Sequence, residues 1–215
     1  MAHHKPVTKT SWTLALKKEL ERQQSQWKSL LDQSQQLFAT QLNPLAQQLT
    51  EDSEILEIGC GIACTARHFD QGKKTFVDPL IDDFKRLFPG ELPEGKLIHN
   101  MAENMTQANQ SYDLILCINT LDNVFNPELV LHEMHRMIKP NGTIIIAIDV
   151  VPDLLARLHY GMVRAFPNFP RECIYRYAYL GMINTLLRHF EIIEHKKISS
   201  SWFKSTWLFT CKLNA

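Results

Sequence analysis

From about residue 53 onward the chain repeats short apolar runs, each followed by a loop and an amphipathic stretch, and that rhythm constrains the fold most. Residues 112–118 and 143–148 are almost entirely apolar. Strands of this kind are buried on both faces, as happens in a parallel sheet covered by helices on either side. Further strands are predicted at residues 53–58, 74–77 and 96–99, with helices around 64–69, 81–88 and 127–138. Pro127 suits the first turn of the last helix, and Pro140-Asn141-Gly142 suits its exit. Repeated strand–helix–strand order implies right-handed crossovers and a doubly wound sheet. Residues 191–197 and 205–213 are separated by a short polar loop, which permits an antiparallel pair but no parallel crossover. The expected architecture is α/β: a three-layer sandwich around a seven-stranded, mostly parallel sheet ending in an antiparallel hairpin.

The N-terminal stretch follows a different period. Leu16, Leu20, Trp27, Leu31, Phe38, Leu42, Leu45 and Leu49 recur at intervals of three, four or seven, which makes one apolar stripe on a helix. Pro44 should interrupt it, so residues 11–50 read as two helical segments. Residues 1–50 are expected to form a cap or lid on the domain formed by 51–215, and the stripe also offers a surface for a second subunit. The 215 residues suit one domain of this size. Lys plus Arg equals Asp plus Glu, 23 against 23, so no overall field draws nucleic acid. The longest apolar run, 143–151, is too short for a bilayer and contains Asp149. Residues 1–10 lack the apolar segment of a signal peptide, and five cysteines without a scaffold pattern suit a reducing compartment. A cytoplasmic protein with neither nucleic-acid nor membrane partners is expected.

The segment Glu57-Ile58-Gly59-Cys60-Gly61 falls at a strand-to-helix turn, on the carboxyl edge where open α/β sheets bind ligands. Glycines there let the backbone turn sharply and approach a ligand closely. Asp78 ends the next predicted strand, where a carboxylate can accept both hydroxyls of a ribose. A dinucleotide fingerprint would need a third glycine at position 64, which is Cys64.

These residues, taken in order, resemble the class I S-adenosylmethionine-dependent methyltransferases. Glu57 to Gly61 is similar to that family's E-x-G-x-G motif, Asp78 to its ribose-binding acid, and Met101-Ala102-Glu103 to its D-A-E beside adenine. Residues 112–124 and 131–142, ending in Lys139-Pro140-Asn141-Gly142, resemble the family's later signatures. The resemblance implies S-adenosyl-L-methionine as cofactor. It implies that Glu57 holds the methionine amino group, that the Gly59, Cys60 and Gly61 amides lie along the ligand, and that Asp78 binds ribose. Met101, Ala102 and Glu103 would then border adenine, with Cys117 and Ile118 giving backbone contacts. Three departures stand out: Ala63 for the frequent third glycine, Met101 for an aspartate, and Asn123 for a histidine near the transferred methyl.

Candidates for a catalytic base or orienting group are Asp122, Asn123, His159 and Tyr160. His132-Glu133-Met134-His135 is one residue too short for H-E-x-x-H, and Cys60 and Cys64 lack a second ligand pair, so no metal site is expected. The family resemblance makes residues 151–190 an acceptor-binding insertion. Its arginines, Arg164 and Arg171 among them, invite a carboxylate or phosphate on a small-molecule acceptor. A protein or RNA methyltransferase and a non-catalytic cofactor-binding partner remain as alternatives.

Overall fold

In the computed structural model, which describes residues 7–166 and 173–214, the apolar runs pair into a single sheet. The strands are β1 (Glu54–Ile58), β2 (Lys73–Val77), β3 (Lys96–Ile98), β4 (Tyr112–Ile118), β5 (Ile138–Val150), β6 (Phe190–Ser200) and β7 (Ser205–Leu213). Their order across the sheet is β3-β2-β1-β4-β5-β7-β6. The chain runs outward from β1 to β3, then returns to place β4 on the other side of β1. That reversal opens a crevice at the carboxyl ends of β1 and β4, where such sheets bind ligands. Register aligns those ends: Ile58 pairs with Val77 on one side and with Cys117 on the other. Only β7 is reversed, pairing antiparallel with both β5 and β6.

Alternation along the strands divides the apolar side chains between two layers. Leu56, Ile58, Ile115 and Cys117 face a core that includes Val130, Leu131 and Met134 of helix α4 (Pro127–Met137). Ile55, Phe76, Leu114 and Leu116 face the other core, where Ile81 and Phe84 of helix α3 (Ile81–Leu87) pack. Helix α1 (Lys9–Leu37) closes this second layer with Leu16, Leu20, Trp27, Leu30 and Leu37. Much of the N-terminal stripe is therefore spent on the chain's own core.

Three local departures from the sequence reading have physical causes. The helix does not break sharply at Pro44. It passes through a π-helical turn, Phe38–Leu42, into the short α2 (Asn43–Ala46), with Asn43 donating to Phe38. A wider turn before proline relieves the clash of its ring with the preceding turn. After the glycine loop there is only a 3₁₀ turn, Thr65–His68, entered through Cys64 in a left-handed conformation at φ 45°. Helix α1 and the π-helical turn pack beside this 3₁₀ turn, with Ser34 Oγ 3.0 Å from His68 Nε2 and Phe38 edge-on to Phe69 at 5.0 Å. Lys139-Pro140-Asn141-Gly142 does not form a loop outside the sheet but a bulged start to β5, whose register shifts between Tyr112 and Leu114. A Cβ on Gly142 would lie 2.6 Å from Ile138 Cδ1 and 3.1 Å from the Asp113 carbonyl oxygen, so a larger residue would have to displace the Ile138 side chain.

Helices α5 (Asp153–Ala165) and α6 (Tyr179–Leu186) occupy the expected insertion. Among the described residues no helix is long and apolar enough to cross a membrane.

Candidate cofactor and acceptor site

The glycine loop is shaped by contacts that exclude side chains. Gly59 donates to the Val77 carbonyl at 2.8 Å and sits at φ 64°. A Cβ there would lie 2.2 Å from Thr120 Cγ2. Gly61, at φ 55°, faces Gln23 of α1 so closely that its Cβ would lie 2.8 Å from Oε1. Both positions require glycine, by conformation and by space.

Two buried carboxylates organise this loop. Asp78 follows β2 directly; its Oδ2 accepts from Gly61 N at 2.9 Å and its Oδ1 from Leu80 N at 2.8 Å. Each oxygen keeps a second acceptor position, which suits a diol. Glu57 accepts from Thr65 N at 2.9 Å and Ala66 N at 2.7 Å, so it caps the 3₁₀ turn. Burial pushes Glu57 up to about 7, against the pull of those two amides. Burial likewise pushes Asp78 up to about 6, against the amides of Leu80 and Gly61.

Above the loop lies a cavity of about 680 Å³, a volume suited to a nucleoside-sized ligand. Glu57, Gly59, Cys60, Gly61 and Asp78 line it, as do Met101, Ala102, Glu103 and Ile118. Cys117 does not, because its side chain lies in the core beneath, where burial pushes the thiol up to about 12. Glu103 is less available than the sequence suggests: its Oε1 accepts from Phe125 N at 2.6 Å and Asn126 N at 2.9 Å. It braces the loop entering α4.

The wall opposite the sheet comes from α1, which sequence reading placed only as a general cap. Trp12, Leu16, Glu19, Arg22 and Gln23 all line the cavity. Gln23 Oε1 accepts from Ile62 N at 2.7 Å, while its Nε2 donates to Glu19 Oε1 at 2.8 Å. Glu19 also takes both hydrogen bonds of the Arg22 guanidinium, at 2.9 and 2.5 Å. Gln23 shares helical phase with Leu16, Leu20 and Trp27; a polar residue inside an apolar stripe was the available signal.

Beyond β4 the chain turns through Asn119, held at φ 49°, and Thr120, whose hydroxyl lies 3.0 Å from the Ile118 carbonyl. Asp122 and Asn123 follow and line the cavity, and Asp122 Oδ1 and Asn123 Oδ1 are enclosed without a hydrogen-bond partner. Burial pushes Asp122 up to about 7, helped by the nearby carboxylates of Asp149 and Glu19 and opposed by Arg22. A buried orphan acceptor is costly unless a ligand donates to it.

His159 and Tyr160 do not join them. Both lie on α5 and neither lines the cavity: His159 is buried with Nε2 3.1 Å from the Ile174 carbonyl, and Tyr160 is on the surface. The amphipathic helix turns the histidine into the protein, so its position does not suit a base for this cavity. Arg164 is exposed and away from the cavity, and Arg171 lies outside the described residues. Residues 173–176 reach the cavity instead, through Cys173, Tyr175 and Arg176. Glu133, in the His-Glu-Met-His stretch, is held by Arg136 at 2.7 Å and accepts from Met105 N.

A glycine loop at the switch point, an acid ending the neighbouring strand and the cavity above them define the site of a nucleoside-cofactor enzyme. Residues 30–191 match the methyltransferase-domain family. The chain therefore belongs to the class I S-adenosylmethionine-dependent methyltransferases, whose cofactor is S-adenosyl-L-methionine. Among curated proteins it is 33% identical over 96 residues to mouse thiol S-methyltransferase TMT1B, covering 41% of this chain and 39% of that protein. The rat protein of the same name is 30% identical over 124 residues, covering 54% of this chain and 50% of that protein. The chain thus spans half or less of the length of these curated relatives. A SAM-dependent methyltransferase from Thermotoga maritima superposes with a TM-score of 0.62 at 17% identity, covering 91% of this chain and 99% of that one. That likeness concerns the fold.

The residues present fit the cofactor. Asp78 keeps free acceptor positions that would suit a ribose diol, and glycine occupies both points where a Cβ would collide.

Proposed function

We propose that this chain methylates a small-molecule acceptor with S-adenosylmethionine, and that the N-terminal helices serve as a lid on the reaction. The supporting observation is one cavity that joins the glycine loop and Asp78 to two enclosed, unpartnered acceptor atoms on Asp122 and Asn123. The cofactor supplies a methyl group on a positively charged sulfur, and no covalent enzyme intermediate is needed. What remains for the protein is to hold the acceptor in line and exclude water.

Asp78 and the loop amides fix the nucleoside, while the face of α1 carrying Trp12 and Leu16 closes the site to solvent. Asn123 Oδ1 accepts from the acceptor and orients it. Asp122 takes the acceptor's proton. A carboxyl held near 7 is partly ionised at neutral pH and better matched to a thiol, at about 8.5, than an ordinary aspartate would be. Thiols are the first acceptors to test, because the curated relatives carry thiol S-methyltransferase as their name.

Calorimetric titration with S-adenosylmethionine, S-adenosylhomocysteine and NAD, on wild type and Asp78→Ala, tests the cofactor site. Saturable binding of both adenosyl compounds, but not NAD, is expected, with loss in the variant. Alkyl and aryl thiols are then screened for S-adenosylhomocysteine formation. A folded wild type that binds neither adenosyl compound overturns the proposal.

A further inference from the structure

The cavity contains a second unsatisfied charge, opposite in sign to its acids. Among the described residues three cations line it: Arg22, Arg176 and Lys204. Arg22 is held by Glu19 at 2.5 Å, and Lys204 by Asp149 at 2.5 Å. Arg176 has no such partner, and its Nε is enclosed without a hydrogen bond. An enclosed guanidinium nitrogen left unpaired is expensive, and guanidinium forks pair best with planar oxyanions.

Its position is fixed rather than incidental. Ile174 N and Tyr175 N both donate to the Asp122 carbonyl, at 2.9 and 2.8 Å, and Val151 N donates to the Tyr177 carbonyl at 2.9 Å. Residues 174–177 thus bridge from the turn after β4 to the end of β5. The flanking tyrosines anchor this bridge, Tyr175 Oη donating to the Phe125 carbonyl at 2.9 Å and Tyr177 Oη to the Leu121 carbonyl at 3.2 Å. Arg176 is carried between them on the β4–β5 side of the cavity, while Asp78 and the glycine loop lie on the β1–β2 side.

We propose that Arg176 binds a carboxylate on the methyl acceptor, making it the residue that selects small acidic acceptors over neutral ones. This rests on the methyltransferase reading above. A monoanion fits better than a phosphate dianion: Arg176 supplies one positive charge, and Asp122 shares the cavity, whereas Glu19 is already paired with Arg22. Asp149 adds little repulsion because Lys204 and Thr206 already hold it, at 2.5 and 2.6 Å.

The test uses benzoate and 3-phenylpropionate against benzamide and 3-phenylpropanamide, titrated into protein saturated with S-adenosylhomocysteine and into protein without it. At least one acid is expected to bind the wild type about tenfold or more tightly than its amide, as a charged hydrogen-bonded pair allows. Arg176→Gln should abolish that preference without altering S-adenosylhomocysteine affinity, and Arg176→Lys should keep part of it. If Arg176→Gln does not fold, the lysine variant still decides, since loss of the fork must reduce the preference. Equal binding of acid and amide to the wild type, or a preference that survives in either variant undiminished, overturns the proposal. Weaker S-adenosylhomocysteine binding in Arg176→Gln also overturns it and moves the residue to the cofactor's carboxylate. Failure of the wild type to bind S-adenosylhomocysteine refutes the cofactor reading instead, and the acid–amide comparison without nucleoside then judges Arg176 alone.

Discussion

Gln23 Oε1 accepts the backbone N–H of Ile62 at 2.7 Å, tying the middle of α1 to the loop that carries Gly59 and Gly61. The buried amide has no other partner in the loop's own hydrogen bonding. Gln23→Ala is therefore expected to cost about 1–3 kcal/mol, lowering the melting temperature by roughly 2–4 °C per kcal/mol in a chain of this size. Amide exchange at Ile62 should accelerate, and α1 should become more sensitive to limited proteolysis. Unchanged exchange at Ile62 would show that the helix does not brace the loop.

Asp78→Asn probes the opposite side of the same loop. The amide replaces one acceptor oxygen with a donor, which then faces either Gly61 N or Leu80 N. Affinity for both S-adenosylmethionine and S-adenosylhomocysteine is expected to fall by about tenfold or more, since one ribose contact and one loop contact are lost together. Calorimetry on the two ligands checks this. A selective loss of S-adenosylmethionine alone would point to the charge rather than to the hydrogen bonds.

Sheet and cofactor loop were legible because they depend on local patterns. Apolar runs at β4 and β5 can be buried only between two layers, and Gly59, Gly61 and Asp78 fall at strand ends that the same runs define. What was hidden depends on partners distant in sequence. Gln23 looks like one of many glutamines until Ile62 is placed beside it. His159 is a candidate base on residue type and chain position alone, but the rotation of α5 turns it toward the Ile174 carbonyl. Arg176 is one of several arginines in its segment, and only the bridge to Asp122 and Val151 separates it from the rest.

Cofactor affinity should depend on pH through the two raised carboxyls. Without ligand, Glu57 titrates at about 7 and Asp78 at about 6, so both hold protons through the weakly acidic range. A sulfonium cation favours their ionised forms, and binding then releases protons. Affinity for S-adenosylmethionine is expected to rise from about pH 5 to pH 8. Uncharged at sulfur, S-adenosylhomocysteine should show a shallower rise. Parallel profiles for the two ligands would remove these carboxyls from the recognition of charge.

Asp122 has a matching signature in stability. Its carboxyl is held at about 7 in the folded chain, above an ordinary unfolded value of about 3.9, so the folded state binds the extra proton between those limits. Stability contributed by this group is complete below the unfolded value and declines as pH rises through the folded one. Asp122→Asn removes the decline. Its stability relative to wild type should grow between about pH 4 and pH 8, by on the order of a few kcal/mol, in denaturant melts at matched ionic strength. Activity should fall in the same variant, separating the cost of the buried acid from its use.

Gly59 and Thr120 allow the most direct test of how the loop is built. Gly59→Ala meets two obstacles: a left-handed backbone, worth about 1–2 kcal/mol against an alanine, and a Cβ that would stand 2.2 Å from Thr120 Cγ2. Thr120→Gly alone removes the obstructing side chain but also the hydroxyl that lies 3.2 Å from the Gly59 carbonyl and 3.0 Å from that of Ile118. Each single variant should lose stability and cofactor affinity. In the double variant only the backbone cost and the lost hydroxyl remain, so its loss should be smaller than the sum of the two single losses. A double-mutant cycle on urea stability measures that difference, with a coupling of about 0.5–3 kcal/mol expected for residues in direct contact. Strict additivity would mean that the loop relaxes away from Thr120, and that the left-handed backbone alone demands glycine at position 59.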